Sequence, residues 1–391
     1  VDEPLVARMR GFGETIFAEM TQLAIETEAV NLGQGFPDTD GPRSLLEGAA
    51  RRIEQGVNQY PPGPGRPELR AAVAADRRSR HGLDYDPGAE VYITVGATAG
   101  IAASVLGVVE PGDEVVLFEP MYDSYAAVIA LAGGVRRPVT LRPSGADGRF
   151  VFDPDELRAA IGPRTRAIIV NSPHNPTGTV FTAEELETIA AVCGEHDLIA
   201  ITDEVYEHLT FDGAAHIPLA SLPGMRERTL SVSSVGKTFS VTAWKTGWVT
   251  GPGPLVRAVR TVNQFLTFSA NGALQLAIAD ALRDEMDWVR AQRDALQAKR
   301  DRLAEGLRTA GFGVLRPQGT YFVMADIRPL GFTDGVELAR ALPRTAGVVT
   351  VPAQVFYDNQ EEGRHLVRFA FCKQDAVLDE AIARLIRHAK R

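Results

Sequence analysis

Cysteine is scarce in this chain: Cys193 and Cys372 are its only two, far apart and outside any CxxC pair. A disulfide framework and a structural zinc site are therefore unsupported, and a reducing cytoplasm is the expected compartment. No uninterrupted apolar run reaches the ~18 residues of a membrane span, and the opening VDEPLVARMR has no apolar signal-peptide core. Positive charge is in deficit: 41 Lys and Arg against 50 Asp and Glu leave a net charge of −9. That balance argues against a nucleic-acid partner or an anionic membrane partner, yet it permits a local cationic pocket. Internal repeats and low-complexity tracts are also missing.

What is present is apolar patterning. Of 391 residues, 45% are hydrophobic, enough for one large core and a smaller one. Residues 1–30 read as mostly helical, with Phe17, Met20, Leu23 and Ala24 at helical spacing. Short, nearly all-apolar runs then alternate with helical stretches: Val91–Val95, Glu114–Phe118, Ala167–Asn171, Leu198–Thr202, Thr229–Ser233 and Gly247–Gly251. Such runs fit strands covered on both faces, and the alternation predicts an α/β fold with a mostly parallel sheet between helices. A long helix over 285–310 leads to a smaller α+β unit, with strands at 320–326, Val348–Val351 and Leu366–Phe371 and helices at 334–342 and 375–389. The expected organisation is an N-terminal arm (1–45) packing with the small domain and the active site, a large domain (46–290) and a small C-terminal domain (291–391).

Ligands on such sheets bind beyond the carboxyl ends of the strands, so the residues there carry the functional reading. Lys237 lies in a Ser/Gly-rich turn after Thr229–Ser233. A lysine in apolar surroundings loses hydration, its pKa falls, and its neutral amine becomes a nucleophile. Gly96, Ala97 and Thr98 open a helix after Val91–Val95, a seat for an anion or a plain capped turn. SPHNPTG, 172–178, holds Asn175 between two Xaa-Pro bonds, either of which can be cis. Asp203 ends a buried strand, where a carboxylate is costly unless paired, and Tyr206 follows one turn later. Arg368 sits among apolar strand neighbours and suits a carboxylate clamp. Each signal has a plain structural alternative; their order along the chain is the stronger argument.

The strings NLGQGFPD, NQY, SPHNPTG, TDEVYEH, SVGKTFSVTAWKTGW and VRFAFCK together resemble the fold-type I, class I pyridoxal-phosphate aminotransferases over nearly the whole chain. The likeness is to the kynurenine, glutamine and methionine aminotransferase subgroup, and NQYPPGPG, TVGAT and ITDEVYEHL are most similar to actinobacterial succinyldiaminopimelate aminotransferases of lysine biosynthesis. The resemblance implies pyridoxal 5′-phosphate as cofactor, no metal, and a homodimer with shared sites. It implies Lys237 as the Schiff-base lysine and proton shuttle, Asp203 on the pyridine nitrogen, and Asn175 and Tyr206 on the ring's phenolic oxygen. Tyr122 would stack on the ring. Gly96, Ala97, Thr98, Ser234 and Lys245 would hold the phosphate, with Tyr60 reaching it from the neighbouring subunit. Arg368, Asn175 and the Gly35 backbone would take the substrate carboxylate. Phe17 and Phe268 would line the side-chain pocket, Phe268 from the partner, although core packing explains either phenylalanine taken singly.

The substrate implied is N-succinyl-LL-2,6-diaminopimelate, with 2-oxoglutarate and glutamate as the other pair. Thr98 stands where the kynurenine-type pattern has an aromatic residue, and Ser269 where it has a pocket histidine, so the site is expected to be roomier. The alternatives are a kynurenine-, methionine- or glutamine-type enzyme and a cysteine-conjugate β-lyase using the same residues. Gly236-Lys237-Thr238 mimics the end of a P-loop, but Ser231 stands where its first glycine is needed. GQGFPD and GPGRPE fail the dinucleotide spacing. A non-catalytic regulator of this family would need a DNA-binding domain, which the chain is not expected to accommodate.

Overall fold

A computed structural model describes residues 4–13 and 15–390. A seven-stranded sheet forms its centre. In chain order the strands are β1 (Val91–Thr94), β2 (Glu114–Glu119), β3 (Val135–Thr140), β4 (Thr165–Asn171), β5 (Ile199–Asp203), β6 (Thr229–Ser234) and β7 (Gly247–Thr250). Their spatial order is β1-β7-β6-β5-β4-β2-β3. Strands β3, β2, β4, β5 and β6 are mutually parallel, and β7 runs antiparallel to both β6 and β1. Apolar side chains from alternate residues of β2, β4 and β5 fill separate clusters on the two faces: Val116, Ile168 and Ala200 in one, Val115, Ile169 and Ile201 in the other. That two-sided burial explains why these strands are near-continuous apolar runs.

Strand β3, at one of the sheet's two edges, escapes the apolar pattern because that edge is partly exposed. Its sequence, VRRPVT, is exposed at its start and carries a proline, both tolerated where one side lacks a strand partner. The helices Gly253–Leu266 and Gly272–Asp284 and the strand Gly313–Leu315 are likewise additions to the sequence reading.

The long helix Met286–Thr309 leads into a four-stranded antiparallel sheet that includes Phe322–Asp326 and Leu366–Ala370. Two expectations are corrected here. Of the helix expected over most of residues 1–30, positions 1–3 and 14 lie outside the described residues; among the described ones the α-helix covers only Ile16–Thr27, Gly11 and Gly13 lying before it in irregular chain after a short 3₁₀ turn at Ala7–Met9. The single strand expected at Val348–Val351 is two short ones: Val348–Val349 pairs in parallel with Val30–Asn31, and Val351–Pro352 pairs with the Leu366–Ala370 strand. The first pairing fastens the N-terminal segment to the C-terminal unit. Arg340 reinforces it from the helix Gly335–Thr345 with an exposed ion pair to Glu19. Among the described residues no helix is long and apolar enough to cross a membrane.

Candidate active site

The ends of β1, β4, β5 and β6 open onto a cavity of about 420 Å³ that also borders the N-terminal segment and the C-terminal unit. The structure brings Phe17, Gly35, Gly96, Ala97, Thr98, Tyr122, Asn175, Asp203, Tyr206, Ser234, Lys237, Lys245 and Arg368 to its wall. Thirteen residues from eight separate stretches of sequence thus meet in one place. Tyr60 and Phe268 do not. They stack edge to face on each other, ring centroids 5.4 Å apart, on the protein surface, with Tyr60 84% and Phe268 46% exposed.

Asp203 is the last residue of β5, deep in the wall. One carboxylate oxygen accepts the Tyr125 hydroxyl proton at 2.6 Å and the other accepts the Val205 amide at 3.2 Å. Burial nonetheless pushes its pKa up to about 6, against the pull of those two donors and of Lys237. Among the described residues no cation pairs with it. Lys237 occupies a one-turn helix, Val235–Thr238, directly after β6. Burial draws its amine down to about 8, a value that leaves part of it neutral and nucleophilic near neutral pH.

Arg368 lies on the Leu366–Ala370 strand and is 3% exposed. Its guanidinium packs over the rings of Phe322, Phe356 and Phe17 at 4.0, 4.9 and 5.3 Å. It donates to Asn175 Oδ1 at 3.2 Å and to the Gly33 carbonyl at 3.1 Å, while its Nε is buried without a partner. Burial lowers its pKa to about 10, which still leaves it charged. A guanidinium with an idle donor beside a cavity is suited to a carboxylate. The Gly35 carbonyl accepts the Tyr321 hydroxyl at 2.6 Å.

Gly96 takes φ +74°, which a side chain would strain, and begins the helix Gly96–Val108, whose first turn faces the cavity. Lys245, itself left-handed at φ +47°, lies against Gly96 and makes no ion pair among the described residues. Helix start, Ser234 and Lys245 form a cationic seat for a dianion. Both Xaa-Pro bonds of the SPHNPTG loop are cis. Asn171 Oδ1 accepts the Asn175 amide at 2.7 Å and so ties this loop to the end of β4.

Sequence reasoning missed Tyr125, Tyr321, Phe322 and Asn171. Tyr125 was detectable, being one helical turn beyond Tyr122 in YDSY. Tyr321 and Phe322 lie in GTYFVMAD, which reads as an ordinary buried strand.

The donor set fits pyridoxal 5′-phosphate. It has an anion seat at one end, an unpaired buried carboxylate at the other, an amine of lowered pKa between them and an aromatic wall at Tyr122. The comparisons agree. The family model for class I and II aminotransferases matches residues 27–385, and the chain belongs to that family. It is 52% identical over 394 residues to a probable N-succinyldiaminopimelate aminotransferase of Mycobacterium tuberculosis, covering 99% of each chain. It is 38% identical to the methionine aminotransferase of Escherichia coli, covering 98% of this chain and 99% of that one. The solved N-succinyldiaminopimelate aminotransferase of M. tuberculosis superposes with a TM-score of 0.96 at 53% identity, covering 98% of this chain and all of that one. This chain is a transaminase that works with pyridoxal 5′-phosphate.

Proposed function

We propose that the amino donor is N-succinyl-LL-2,6-diaminopimelate and that 2-oxoglutarate and glutamate form the second pair. The observation that carries this reading is the end-to-end 52% identity with the M. tuberculosis relative named for that substrate. The small Thr98 at the cavity wall supports it by leaving space for a long side chain.

When bound, pyridoxal 5′-phosphate supplies a carbonyl for an amine and a ring that accepts the electrons of the broken Cα–H bond. The chain's own residues do the rest. Lys237 would hold the cofactor at rest and, once displaced, its amine would take the proton from the substrate Cα. Asp203 holds the ring nitrogen in its protonated form, and its burial keeps that charge pair out of water. Asn175 and Tyr206 hold the phenolic oxygen, and Tyr122 covers the ring face. Gly96, Ala97, Thr98, Ser234 and Lys245 hold the phosphate. Arg368, with Asn175 beside it, fixes the α-carboxylate and so sets which bond on Cα faces Lys237. Phe17, stacked near Arg368, lines the side-chain pocket.

Three further features belong to the same reading. The enzyme works as a homodimer in the cytoplasm, its exposed Tyr60 and Phe268 completing the partner's site. Residues 46–290 form the large cofactor-binding domain, and residues 291–391 the small domain. The arm before residue 46 packs with the small domain, in keeping with the pairing of Val30–Asn31 with Val348–Val349.

The test is spectroscopic. The yellow holoenzyme should bleach on adding N-succinyl-LL-2,6-diaminopimelate and recover with 2-oxoglutarate, faster than with methionine, kynurenine or glutamine. Lys237→Ala should cut turnover by about 10³-fold or more. Full activity in that variant would end the assignment. Release of ammonia and pyruvate from cysteine conjugates, without consumption of a keto acid, would favour the β-lyase reading.

A further inference from the structure

The amine of Lys237 donates to one hydroxyl, that of Tyr321, at 2.7 Å. The same hydroxyl gives its own proton to the Gly35 carbonyl at 2.6 Å. Three remote parts of the chain meet in this row: the turn after β6, the residue just before the Phe322–Asp326 strand, and the N-terminal segment.

The row is built tightly. Gly35 has no space for a side chain, since a Cβ there would come within 2.3 Å of the Phe322 ring. Its carbonyl can therefore sit close to the small-domain sheet. Tyr321 is 1% exposed, and its ring is wedged edge to face against Tyr206 at 5.1 Å and Phe322 at 4.9 Å. Thr320, just before it, takes φ +66°, an uncommon conformation for a β-branched residue. The direction of the bonds then follows. A phenol has one proton, and Gly35 holds it, so the oxygen faces Lys237 only as an acceptor. An N–H of the amine committed to that oxygen fixes where the remaining N–H groups and the lone pair can point.

We infer that Tyr321 is a positioning residue for the transamination, receiving an N–H of Lys237 whenever the ε-amine is free and aiming the amine while it moves the proton. It does so only while the N-terminal segment supplies Gly35. The inference rests on the reading of Lys237 as the reacting amine.

The test uses cofactor-free protein, wild type and Tyr321→Phe. Uptake of pyridoxal 5′-phosphate, followed by absorbance, requires the neutral amine, so its pH midpoint reports Lys237. The wild-type midpoint is expected near 8. In the variant the buried ammonium loses an acceptor, so the midpoint should fall by about one unit. In the loaded enzyme kcat should fall about tenfold, with a larger isotope effect from an α-deuterated donor and an unchanged KM, because Arg368 is untouched. An unmoved midpoint overturns the inference, as does a loss confined to KM or to thermal stability. Should Tyr321→Phe fold poorly, 3-fluorotyrosine at position 321 keeps the shape and weakens the acceptor. The same downward shift, smaller, is then expected, and no shift overturns the inference. An active Lys237→Ala variant would instead strike at the reading beneath it, so the two failures are distinguishable.

Discussion

Asn171 Nδ2 donates to the backbone carbonyl of Asp203 at 2.9 Å, across the register pair that ends the adjacent parallel strands β4 and β5. Through its other amide atom the same side chain holds the Asn175 loop. The buried acid and the loop that meets Arg368 are thus set by one amide at a strand end. This is the rule of parallel sheets in local form: functional groups gather where strands stop, and hydrogen bonds between neighbouring strand ends fix their spacing.

Asp203 should make the cofactor-free protein less stable at neutral pH. Its folded pKa, about 6, lies above the ordinary carboxylate value, so the folded state binds more protons between about pH 4 and pH 6. Stability therefore falls as pH rises through that window, and above it burial of the charge costs about 3 kcal/mol. Asp203→Asn removes the charge and keeps an acceptor for the Tyr125 hydroxyl. The cofactor-free variant should melt above wild type at pH 8, the difference vanishing towards pH 4, while turnover drops by about 10²- to 10³-fold. Thermal melts across this range check the sign, and a variant less stable than wild type at pH 8 would contradict it.

Arg368→Lys should damage donor binding more than chemistry at Lys237. The lysine keeps a charge but loses the planar fork, the stacking on three phenylalanine rings and the idle Nε. A fall of about 10²-fold in kcat/KM is expected, carried chiefly by KM. Absorbance of the resting enzyme should not change, because Arg368 is not among the cofactor's proposed contacts. A spectral shift with KM intact would reassign the residue.

How much of this was legible in the sequence depended on what each residue's neighbours demanded. Lys237, Asp203 and Asn175 were visible because each breaks a local rule: a charge after an apolar strand, or a turn between two prolines. Tyr321 was hidden because GTYFVMAD obeys every rule of a buried strand, and its hydroxyl acquires a role only when Gly35 arrives from 286 residues away. Strand β3 was hidden for the opposite reason. This edge strand is partly exposed, so VRRPVT has no apolar run to read. The antiparallel course of β7 was likewise invisible, since an apolar run carries no direction.

Arg77 should be a pillar of stability rather than of catalysis. It lies on the helix Pro67–His81, 2% exposed, and donates to Glu204 at 2.6 Å and Glu207 at 3.0 Å. Arg80 also reaches Glu207 at 3.0 Å. Burial alone would raise both glutamates, but the charges of Arg77 and Arg80 hold them below the usual carboxylate range. Their depressed pKa values contribute stability above the unfolded carboxylate pKa that is lost as pH falls through the folded one. Arg77→Met removes the guanidinium that the two buried glutamates share, leaving Glu207 with Arg80 and Glu204 beside His216, and should cost about 3 to 5 kcal/mol at pH 7. The gap should narrow at pH 5, where the abandoned glutamates take up protons. Urea midpoints at the two pH values decide it, and a loss below about 1 kcal/mol at pH 7 would mean that the network is incidental.

Tyr60 and Phe268 supply the last prediction, because the structure places them together and away from their own cavity. Two large aromatic rings exposed side by side are costly in water and fit a surface that a second copy covers. Lys237→Ala and Tyr60→Ala should each impair the enzyme alone. In a mixed dimer the Lys237→Ala subunit lends its intact Tyr60 to the other site, which keeps its own Lys237. One of the two sites is then complete. Random reassortment should restore about one quarter of wild-type activity, since about half the dimers are mixed and each has one working site. If Tyr60 served its own subunit, that site would still lack the tyrosine and mixing would restore nothing. Activity measured before and after co-refolding of the two variants separates the outcomes, with wild type mixed with Lys237→Ala as the reference for undamaged exchange.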